Sequence, residues 1–303
     1  MRNMARHKAI VRRMKAVETL GSTTVICSDK TGTLTKNEMT VRQLHTVDGY
    51  YGVTGDGFNP KGALSIDGSE LDEDSMSTLQ SNPGFRLLAA CLSLCHNSQI
   101  SKHEGRWTAI GDPTDSACAV LGWKLNGEVR KFSQRHPRLH EFFFDTERKR
   151  MSVIHEYEGE RWVFAKGAAG GFVPITTHRY SDGELVQISE DDLREASKRN
   201  KEMGSQSMRV IALAAKKLAD DEDMTDLSVV ENGMIFLGLV GIMDPPRPEV
   251  KEAIRICQDA GIKVKMITGD HHMTASAIGQ ELSISGAEDE PVSGADLRSM
   301  SED

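Results

Sequence analysis

Residues 23–35 read TTVICSDKTGTLT and indicate the fold class of this chain. Residues 23–28 form a short apolar run that is rich in β-branched side chains, which predicts a buried strand. The polar residues that follow, from Asp29 onward, predict a loop at the carboxyl end of that strand. Open α/β sheets bind their ligands at this edge. The stretch therefore predicts one strand and one ligand-binding loop of a Rossmann-type sheet.

The loop carries residues that suit phosphoryl transfer. The carboxylate of Asp29 can attack phosphorus and form an acyl phosphate. Lys30 and the N–H groups of the loop can neutralise the charge on phosphoryl oxygens. Gly32 allows the backbone to come close to a phosphate. An isolated Asp-Lys-Thr is more typical of a surface turn, so this interpretation depends on the rest of the sequence.

A second α/β unit of the same character spans residues 244–282. Pro248 predicts a helix start, and Gly261 predicts the C-terminal cap of that helix. Residues 262–267 predict a strand. Its exit loop contains Thr268 and Gly269, whose hydroxyl and unshielded N–H suit a phosphate. Because the two units are far apart in the sequence, we interpret the intervening segment as a domain inserted into a Rossmann-like domain.

The inserted segment is a mixture of strands and helices. Residues 41–80 predict short strands with Gly-rich turns. Helices are predicted at 85–95, 115–125 and 191–202, and strands at 142–144, 151–157, 161–165, 209–215 and 234–239. The spacing of Cys91 and Cys95 is typical of a buried helix face, although Cys91, Cys95 and His96 could also be interpreted as metal ligands.

Composition excludes several classes of partner. The chain has 37 Lys and Arg against 45 Asp and Glu, a net charge of −8, and 5% aromatic residues. This argues against nucleic-acid binding, which needs a basic surface.

The longest apolar run, residues 233–243, is shorter than the roughly 20 residues of a membrane helix, and no signal peptide is visible. Residues 1–20 are basic and amphipathic, typical of a solvated helix face or of a segment beside an anionic membrane.

Residues 29–40, DKTGTLTKNEMT, resemble the phosphorylation motif of P-type ATPases, the ATP-driven ion pumps of the haloacid dehalogenase-like superfamily. Further stretches resemble type II cation pumps in the same order: GDPTDSA (111–117), FDTERKRMSV (144–153), KGA (166–168), MRVIALA (208–214), MDPPRPEVKEAI (243–254) and MITGDHHMTASAIG (266–279). The resemblance implies an α/β, haloacid dehalogenase-like Rossmann-type phosphorylation (P) domain, incomplete at its C-terminal end. It also implies that a mixed α+β nucleotide-binding (N) domain with an antiparallel sheet interrupts it. The implied ranges are a stalk-like lead-in at 1–20, the P domain at 21–42 and 238–303, and the N domain at 43–237.

The resemblance also implies the site residues and the cofactors, ATP and Mg²⁺. Asp29 is the residue that ATP phosphorylates, and Asp29 and Thr31 hold Mg²⁺. The other catalytic residues are Lys30, Thr268, Gly269 and Asp270. The implied ATP-binding residues are Asp115, Phe144, Lys149, Lys166, Gly167, Arg209, Asp244, Arg247, Thr268, Gly269 and Asp270. Soluble phosphatases of the superfamily usually have Asp where Thr31 stands. Because a threonine hydroxyl is a poor general acid, Thr31 suits an aspartyl phosphate that persists.

Two of these assignments meet a competing interpretation or a departure from the family. From the residues alone, Phe144 is more typical of a strand core than of a ring that stacks on adenine. The family usually has KGAPE or KGASE, whereas residues 166–170 are KGAAG, which we expect to loosen the turn after this strand.

The chain also lacks the family's later Asp ligand for Mg²⁺, its membrane helices and its actuator domain. We therefore expect a soluble portion of a longer pump, which does not itself span the membrane and lies on the cytoplasmic side of the parent. Its partners are ATP and the parent's transmembrane and actuator domains. Ca²⁺ is the preferred transported ion, although Na⁺/K⁺ or H⁺ relatives share these loops. The alternatives are a soluble haloacid dehalogenase-like phosphohydrolase and a module that binds ATP but is inactive or weakly active in isolation.

Overall fold

The computed structural model describes residues 21–206, 208–269, 272–286 and 288–300. The chain divides into two compact units, Asn37–Pro245 and a smaller unit formed by the residues before and after that range. The basic segment 1–20 and Asp270 lie outside the described residues, so the predictions made for them stay predictions.

The larger unit is built on an eleven-stranded sheet. Its strands are β2 (Thr40–His45), β3 (Tyr50–Val53), β4 (Leu64–Ile66), β5 (Ser69–Glu70), β8 (Arg138–Asp145), β9 (Arg150–Tyr157), β10 (Glu160–Ala168), β11 (Thr176–Ser181), β12 (Glu184–Gln187), β13 (Arg209–Leu218) and β14 (Met234–Met243). The main path runs β5-β4-β3-β2-β14-β13-β10-β9-β8, and every neighbouring pair along it is antiparallel. Strands β6 (Gln99–His103) and β7 (Arg106–Ile110) form a separate hairpin.

Helices cover both faces of this sheet. They are α1 (Glu73–Ser81), α2 (Pro83–Leu94), α3 (Pro113–Asn126), α4 (Val129–Arg135), α5 (Glu190–Ser205) and α6 (Leu227–Val230). Successive strand residues point to opposite faces. Phe164 accordingly packs in the cluster that contains α2 and α3, whereas Val163 and Ala165 pack in the cluster that contains Met203 of α5. The sheet is therefore buried on both sides, as expected for an inserted domain with its own core.

The predicted helix at 85–95 is confirmed as α2, which begins at Pro83 after the N-cap Asn82. Cys91 and Cys95 lie on its buried face inside the apolar cluster, and the Cys91 thiol donates to the carbonyl oxygen of Ala165 at 3.5 Å. The two cysteines are therefore core residues, as their spacing predicts. The hairpins β6–β7 and β11–β12 were not predicted, because neither has a clear apolar alternation.

Strands β2 and β14 are neighbours in the sheet, with Leu44 opposite Val240. Both strands therefore belong to the larger unit, and the limits of that unit lie at Asn37 and Pro245. The resemblance implied domain limits at 42/43 and 237/238, inside these two strands. Sequence patterns do not show which strands pair, which is why the two divisions differ.

The smaller unit contains a parallel pair of strands, β1 (Val25–Asp29) and β15 (Lys263–Ile267). Its helices are α7 (Pro248–Asp259), α8 (His272–Glu281) and α9 (Gly294–Ser299). Its apolar cluster consists of Leu34, Val250, Ile254, Val264, Ile278 and Leu282. Gly261 has φ +76° just after α7, which confirms the predicted C-terminal cap.

The prediction that β1 is a buried strand is wrong. Val25 and Ile26 are 45% and 36% exposed, and neither belongs to the apolar cluster of the smaller unit. Among the described residues, β1 hydrogen-bonds to β15 alone. An apolar, β-branched run predicts a strand, but it does not show how many neighbours cover that strand.

Candidate functional site

The loop after β1 is held closed by Thr35. The Thr35 hydroxyl oxygen accepts the N–H of Gly32 at 3.3 Å, and the hydroxyl donates to the carbonyl oxygen of Lys30 at 3.1 Å. Gly32 has φ +73°, a conformation that favours glycine. Asp29 ends the strand, and its carboxylate accepts the N–H of Thr31 at 3.3 Å. Sequence reasoning missed Thr35, although a buried hydroxyl just after a tight loop is a common way to close it.

The parallel register places the other predicted residues at the same edge. Asp29 is opposite Ile267, so Thr268 and Gly269 follow β15 where the Asp29 loop follows β1. The guanidinium of Arg247 donates to the carbonyl oxygen of Gly32 at 3.1 Å. The smaller unit therefore brings the Asp29 loop, the exit loop of β15 and Arg247 together. Lys30 is buried beside them, whereas Asp29 and Thr31 are exposed.

The oxygen atoms at this edge fit Mg²⁺ only in part. The carboxylate of Asp29 and the carbonyl oxygen of Thr31 are hard donors of the kind that Mg²⁺ prefers. Within the described ranges, no group of three or more His, Cys, Asp or Glu residues could hold a metal ion. Mg²⁺ often binds through one or two carboxylates with waters and substrate phosphates. The donor set therefore suits an ion that arrives with a phosphate-bearing ligand.

In the larger unit, most of the remaining predicted residues lie where several neighbouring strands of the sheet begin or end. The end of β8, the start of β9, the end of β10, the start of β13 and the end of β14 meet there, because these strands are antiparallel neighbours. This edge carries Phe144, Lys149, Lys166, Gly167, Arg209 and Asp244. Residues far apart in the sequence thus lie at the same ends of neighbouring strands.

Phe144 is not a core residue. Its side chain is 61% exposed, and that of Phe143 is 70% exposed, whereas Phe142 packs against the core. The register of β8 against β9 shifts between Phe142 and Asp145. Such a bulge interrupts the alternation of a strand and redirects its side chains. The interpretation of Phe144 as a strand-core residue is therefore wrong, and the ring is available to a ligand.

Lys166 forms a buried ion pair with Asp115. The ammonium nitrogen lies 2.6 Å from Oδ1 of Asp115, and the two side chains are 5% and 16% exposed. Burial by itself disfavours the charged ammonium, but the neighbouring Asp115 carboxylate outweighs it and raises the pKa of Lys166. Asp115 lies in the first turn of α3, where a carboxylate also interacts favourably with the helix dipole.

Asp115 is also part of a polar network that could not be predicted from the sequence. Its Oδ2 accepts the backbone N–H of Asn97 at 3.1 Å. The side chain of Asn97 bonds to both Glu141 and Arg138. Arg138 also donates to Glu141 and to the carbonyl oxygens of Leu94 and His96, which lie at the C-terminal end of α2. The network therefore links the edge strand β8 to α2 and α3.

Gly167 is required by a close approach of two strands. A Cβ atom at this position would lie 2.3 Å from the carbonyl oxygen of Lys149 and 2.6 Å from Cα of Arg150. Lys149 is exposed and has φ +53°, an uncommon conformation for lysine. The turn that carries Lys149 therefore packs so closely on residue 167 that only glycine leaves enough space.

The last two predicted residues anchor neighbouring segments. The guanidinium of Arg209 donates to the hydroxyl of Thr114 at 2.8 Å, one residue before Asp115. Asp244 is buried, and its carboxylate accepts the N–H of Glu38 at 3.2 Å. Arg209 therefore lies beside the Asp115–Lys166 pair, and Asp244 holds the ends of the larger unit together.

Two neutral histidines make the larger unit sensitive to acid. Nδ1 of His155 contacts the carbonyl oxygen of His136 at 2.7 Å, and the Arg138 guanidinium donates to Nε2 at 3.3 Å. His155 is therefore the Nδ1–H tautomer. Burial is the main cause that lowers the pKa of His155 and of His96 to about 4. Near pH 5 these histidines are protonated in the unfolded chain but not in the folded chain. The stability that each neutral histidine contributes is therefore complete above about pH 6.5 and is lost as the pH falls toward 4.

We expect the free energy of unfolding to fall by about 2 kcal/mol for each of these histidines between pH 7 and pH 5. Urea denaturation at several pH values measures the effect. His155→Gln should flatten the curve, whereas His103→Gln, in the exposed β6–β7 hairpin, should not change it. An equally steep curve for His155→Gln would contradict the assignment.

Comparison with known proteins identifies the family. Residues 84–249, more than half of the chain, match the family described as P-type ATPase, cytoplasmic domain N. The chain is 37% identical over 291 residues to cation-transporting ATPase pma1 of Synechocystis sp., an alignment that covers 94% of this chain and 31% of that protein. It is 38% identical over 284 residues to a calcium-transporting ATPase of Bacillus subtilis, covering 93% of this chain and 31% of that protein.

A third relative, calcium-transporting ATPase 1 of Bacillus cereus, is 34% identical over 303 residues, covering 100% of this chain and 31% of that protein. The chain thus spans a little under one third of the length of these relatives. Across the described residues, no helix has the length and apolar character needed to cross a membrane. The family match and these relatives, which align along nearly the whole chain, show that the chain belongs to the P-type ATPases.

Proposed function

We propose that this chain is the ATP-handling portion of an ATP-driven cation pump. The larger unit acts as the N domain and binds ATP, and the smaller unit acts as the haloacid dehalogenase-like P domain. In the full-length protein, Asp29 accepts the γ-phosphate and forms the aspartyl phosphate that is coupled to transport. Two of the relatives are named calcium-transporting ATPases, which favours Ca²⁺ as the cargo.

The observation that carries this proposal is the exposed ring of Phe144 at the sheet edge that also carries Lys149, Lys166 and Arg209. A flat exposed ring can stack on adenine, which is worth about 1–3 kcal/mol per base. Two exposed cationic side chains at the same ends of the strands, Lys149 and Arg209, can interact with a triphosphate, whereas Lys166 is buried and paired with Asp115. Both oxygens of Asp115 already bond within the protein. Its main role here is therefore to hold Lys166, rather than to contact ATP directly.

The smaller unit supplies the groups for phosphoryl transfer. A bond forms between a carboxylate oxygen of Asp29 and the γ-phosphorus, and the bond from that phosphorus to the leaving ADP oxygen breaks. The Asp29 carboxylate and the Thr31 carbonyl would hold Mg²⁺, which when bound neutralises charge on the phosphates. Arg247 orients the loop through Gly32. The Thr31 hydroxyl is a poor general base for an attacking water, so the aspartyl phosphate persists.

The parent's remaining partners follow from the same proposal. The rest of the pump supplies the transmembrane ion path and the actuator domain that removes the phosphate. This portion works on the cytoplasmic side of that membrane. In isolation, the chain binds ATP but turns it over weakly or not at all.

ATP binding by calorimetry tests the proposal. We expect the chain to bind ATP, and Phe144→Ala to lose about 1–3 kcal/mol of binding free energy, roughly five- to a hundredfold in affinity. Phe143→Ala is the matched control, because it removes an equally exposed neighbouring ring. It should keep the affinity within about twofold. A folded protein that binds no ATP at millimolar concentration, or a Phe144→Ala variant that binds as well as the parent chain, would overturn the proposal.

A further inference from the structure

A buried carboxylate lies behind the turn that carries Phe144 and Lys149. Glu231 precedes β14, and its side chain is 2% exposed. It accepts hydrogen bonds from Arg148 at 2.5 Å, from Arg150 at 2.6 Å and from the hydroxyl of Ser152 at 2.8 Å. Two guanidinium groups and one hydroxyl thus converge on a single carboxylate that is 83 residues away from Arg148.

The two arginines fix the main chain on both sides of the turn. Arg148 donates to the carbonyl oxygen of Phe143 at 2.9 Å, immediately before Phe144. Arg150 donates to the carbonyl oxygen of Arg148 at 3.2 Å and to that of Gly171 at 2.9 Å. Glu231 therefore sets the direction of both guanidinium planes, and these set the path of the backbone around Phe144.

The same cluster holds the turn after Lys166. Residues 166–170 are KGAAG and lack the proline and the acidic residue that the family usually has in this turn. In the structure, Ala169–Gly171 form a short helical turn, and Gly171 is bonded to Arg150. A guanidinium held by Glu231 thus supplies an anchor that the sequence of the turn lacks.

Stability alone does not account for this arrangement. Replacing a buried ion cluster by apolar residues of similar volume is often neutral or stabilising. What an arginine adds is direction, because its planar donors reach particular carbonyl oxygens. The carbonyl oxygens chosen here flank the residues that the proposed function assigns to ATP.

We propose that Glu231 is a positioning residue for nucleotide binding, which acts through Arg148 and Arg150 to present the ring of Phe144. The inference rests on the proposed binding of ATP by the larger unit. Because the proposed action of Glu231 on ATP binding runs mainly through Phe144, most of the loss caused by removing Glu231 should depend on the presence of Phe144.

A double-mutant cycle on the whole chain tests this inference by ATP calorimetry. We expect Glu231→Gln, which keeps the shape and removes the charge, to lower ATP affinity five- to tenfold. In the Phe144→Ala background, the same change should lower it twofold or less. Glu222→Gln is the control, because Glu222 pairs with Lys216 toward the opposite end of β13 and should leave the affinity unchanged.

The outcomes separate the inference from the proposed function. Equal losses from Glu231→Gln in both backgrounds, or no loss in either, would overturn the positioning role while ATP binding itself stands. Absence of ATP binding by the unmodified chain would instead overturn the proposed function. If Glu231→Gln does not fold, Arg148→Lys tests the same point, because lysine keeps the charge but not the bond pattern of a guanidinium. It should show the same dependence on Phe144.

Discussion

Gly167→Ala is expected to lower the free energy of unfolding by about 2–3 kcal/mol, in the upper part of the roughly 1–3 kcal/mol that an extra methyl group costs in a packed site. The added Cβ would lie 2.3 Å from the carbonyl oxygen of Lys149 and 2.6 Å from Cα of Arg150. These are main-chain atoms, so no side-chain rotation relieves the clash. Strand β9 must move away from β10, and the turn that carries Lys149 moves with it. We therefore also expect a loss of ATP affinity of at least tenfold.

Urea denaturation and ATP calorimetry measure the two effects. Gly170→Ala is the matched control, since a Cβ there meets no atom within 4 Å and the residue does not have positive φ. It should change stability by less than about 0.5 kcal/mol, as most surface substitutions do. A Gly167→Ala variant as stable as this control would show that the strands adjust without cost, and the close approach would then have no functional meaning.

Asp115→Asn is expected to have the largest effect on stability, about 3–5 kcal/mol, because it leaves the buried ammonium of Lys166 without its counter-charge. The asparagine can still accept the N–H of Asn97, so the change isolates the ion pair from the rest of the network. The Lys166 ammonium nitrogen lies 2.6 Å from Oδ1 of Asp115 and both side chains are largely buried, so solvent screens their attraction little. Chemical denaturation at pH 7 measures the loss.

Two companion variants sharpen this prediction. Glu160→Gln removes one partner of the exposed Glu160–Lys217 pair and should cost less than about 1 kcal/mol. Combining Asp115→Asn with Lys166→Met removes both buried charges, so it should recover at least half of the stability lost by Asp115→Asn alone. If the double variant is less stable than Asp115→Asn, the ion pair is not what holds α3 against β10.

Elements with a strong local pattern could be predicted from the sequence. The helix at 85–95, the strands at 151–157 and 209–215, and the helix started by Pro248 and capped by Gly261 are all present. Apolar periodicity and capping residues act over a few positions, so they can be read without knowledge of the fold. The limits of the larger unit could not be predicted, because they depend on the pairing of β2 with β14.

The candidate site divides in the same way. Residue type and motif spacing indicate the chemical character of the Asp29 loop and of the Thr268–Gly269 loop, and the family resemblance supplies the residues assigned to ATP. The exposure of β1, the bulge that exposes Phe144 and the pairing of Asp115 with Lys166 became visible only in the folded structure. It alone also showed that Glu231 holds Arg148 and Arg150. These features depend on contacts between residues that are far apart in the chain, and such contacts exist only once the strands have paired and the helices have packed on them.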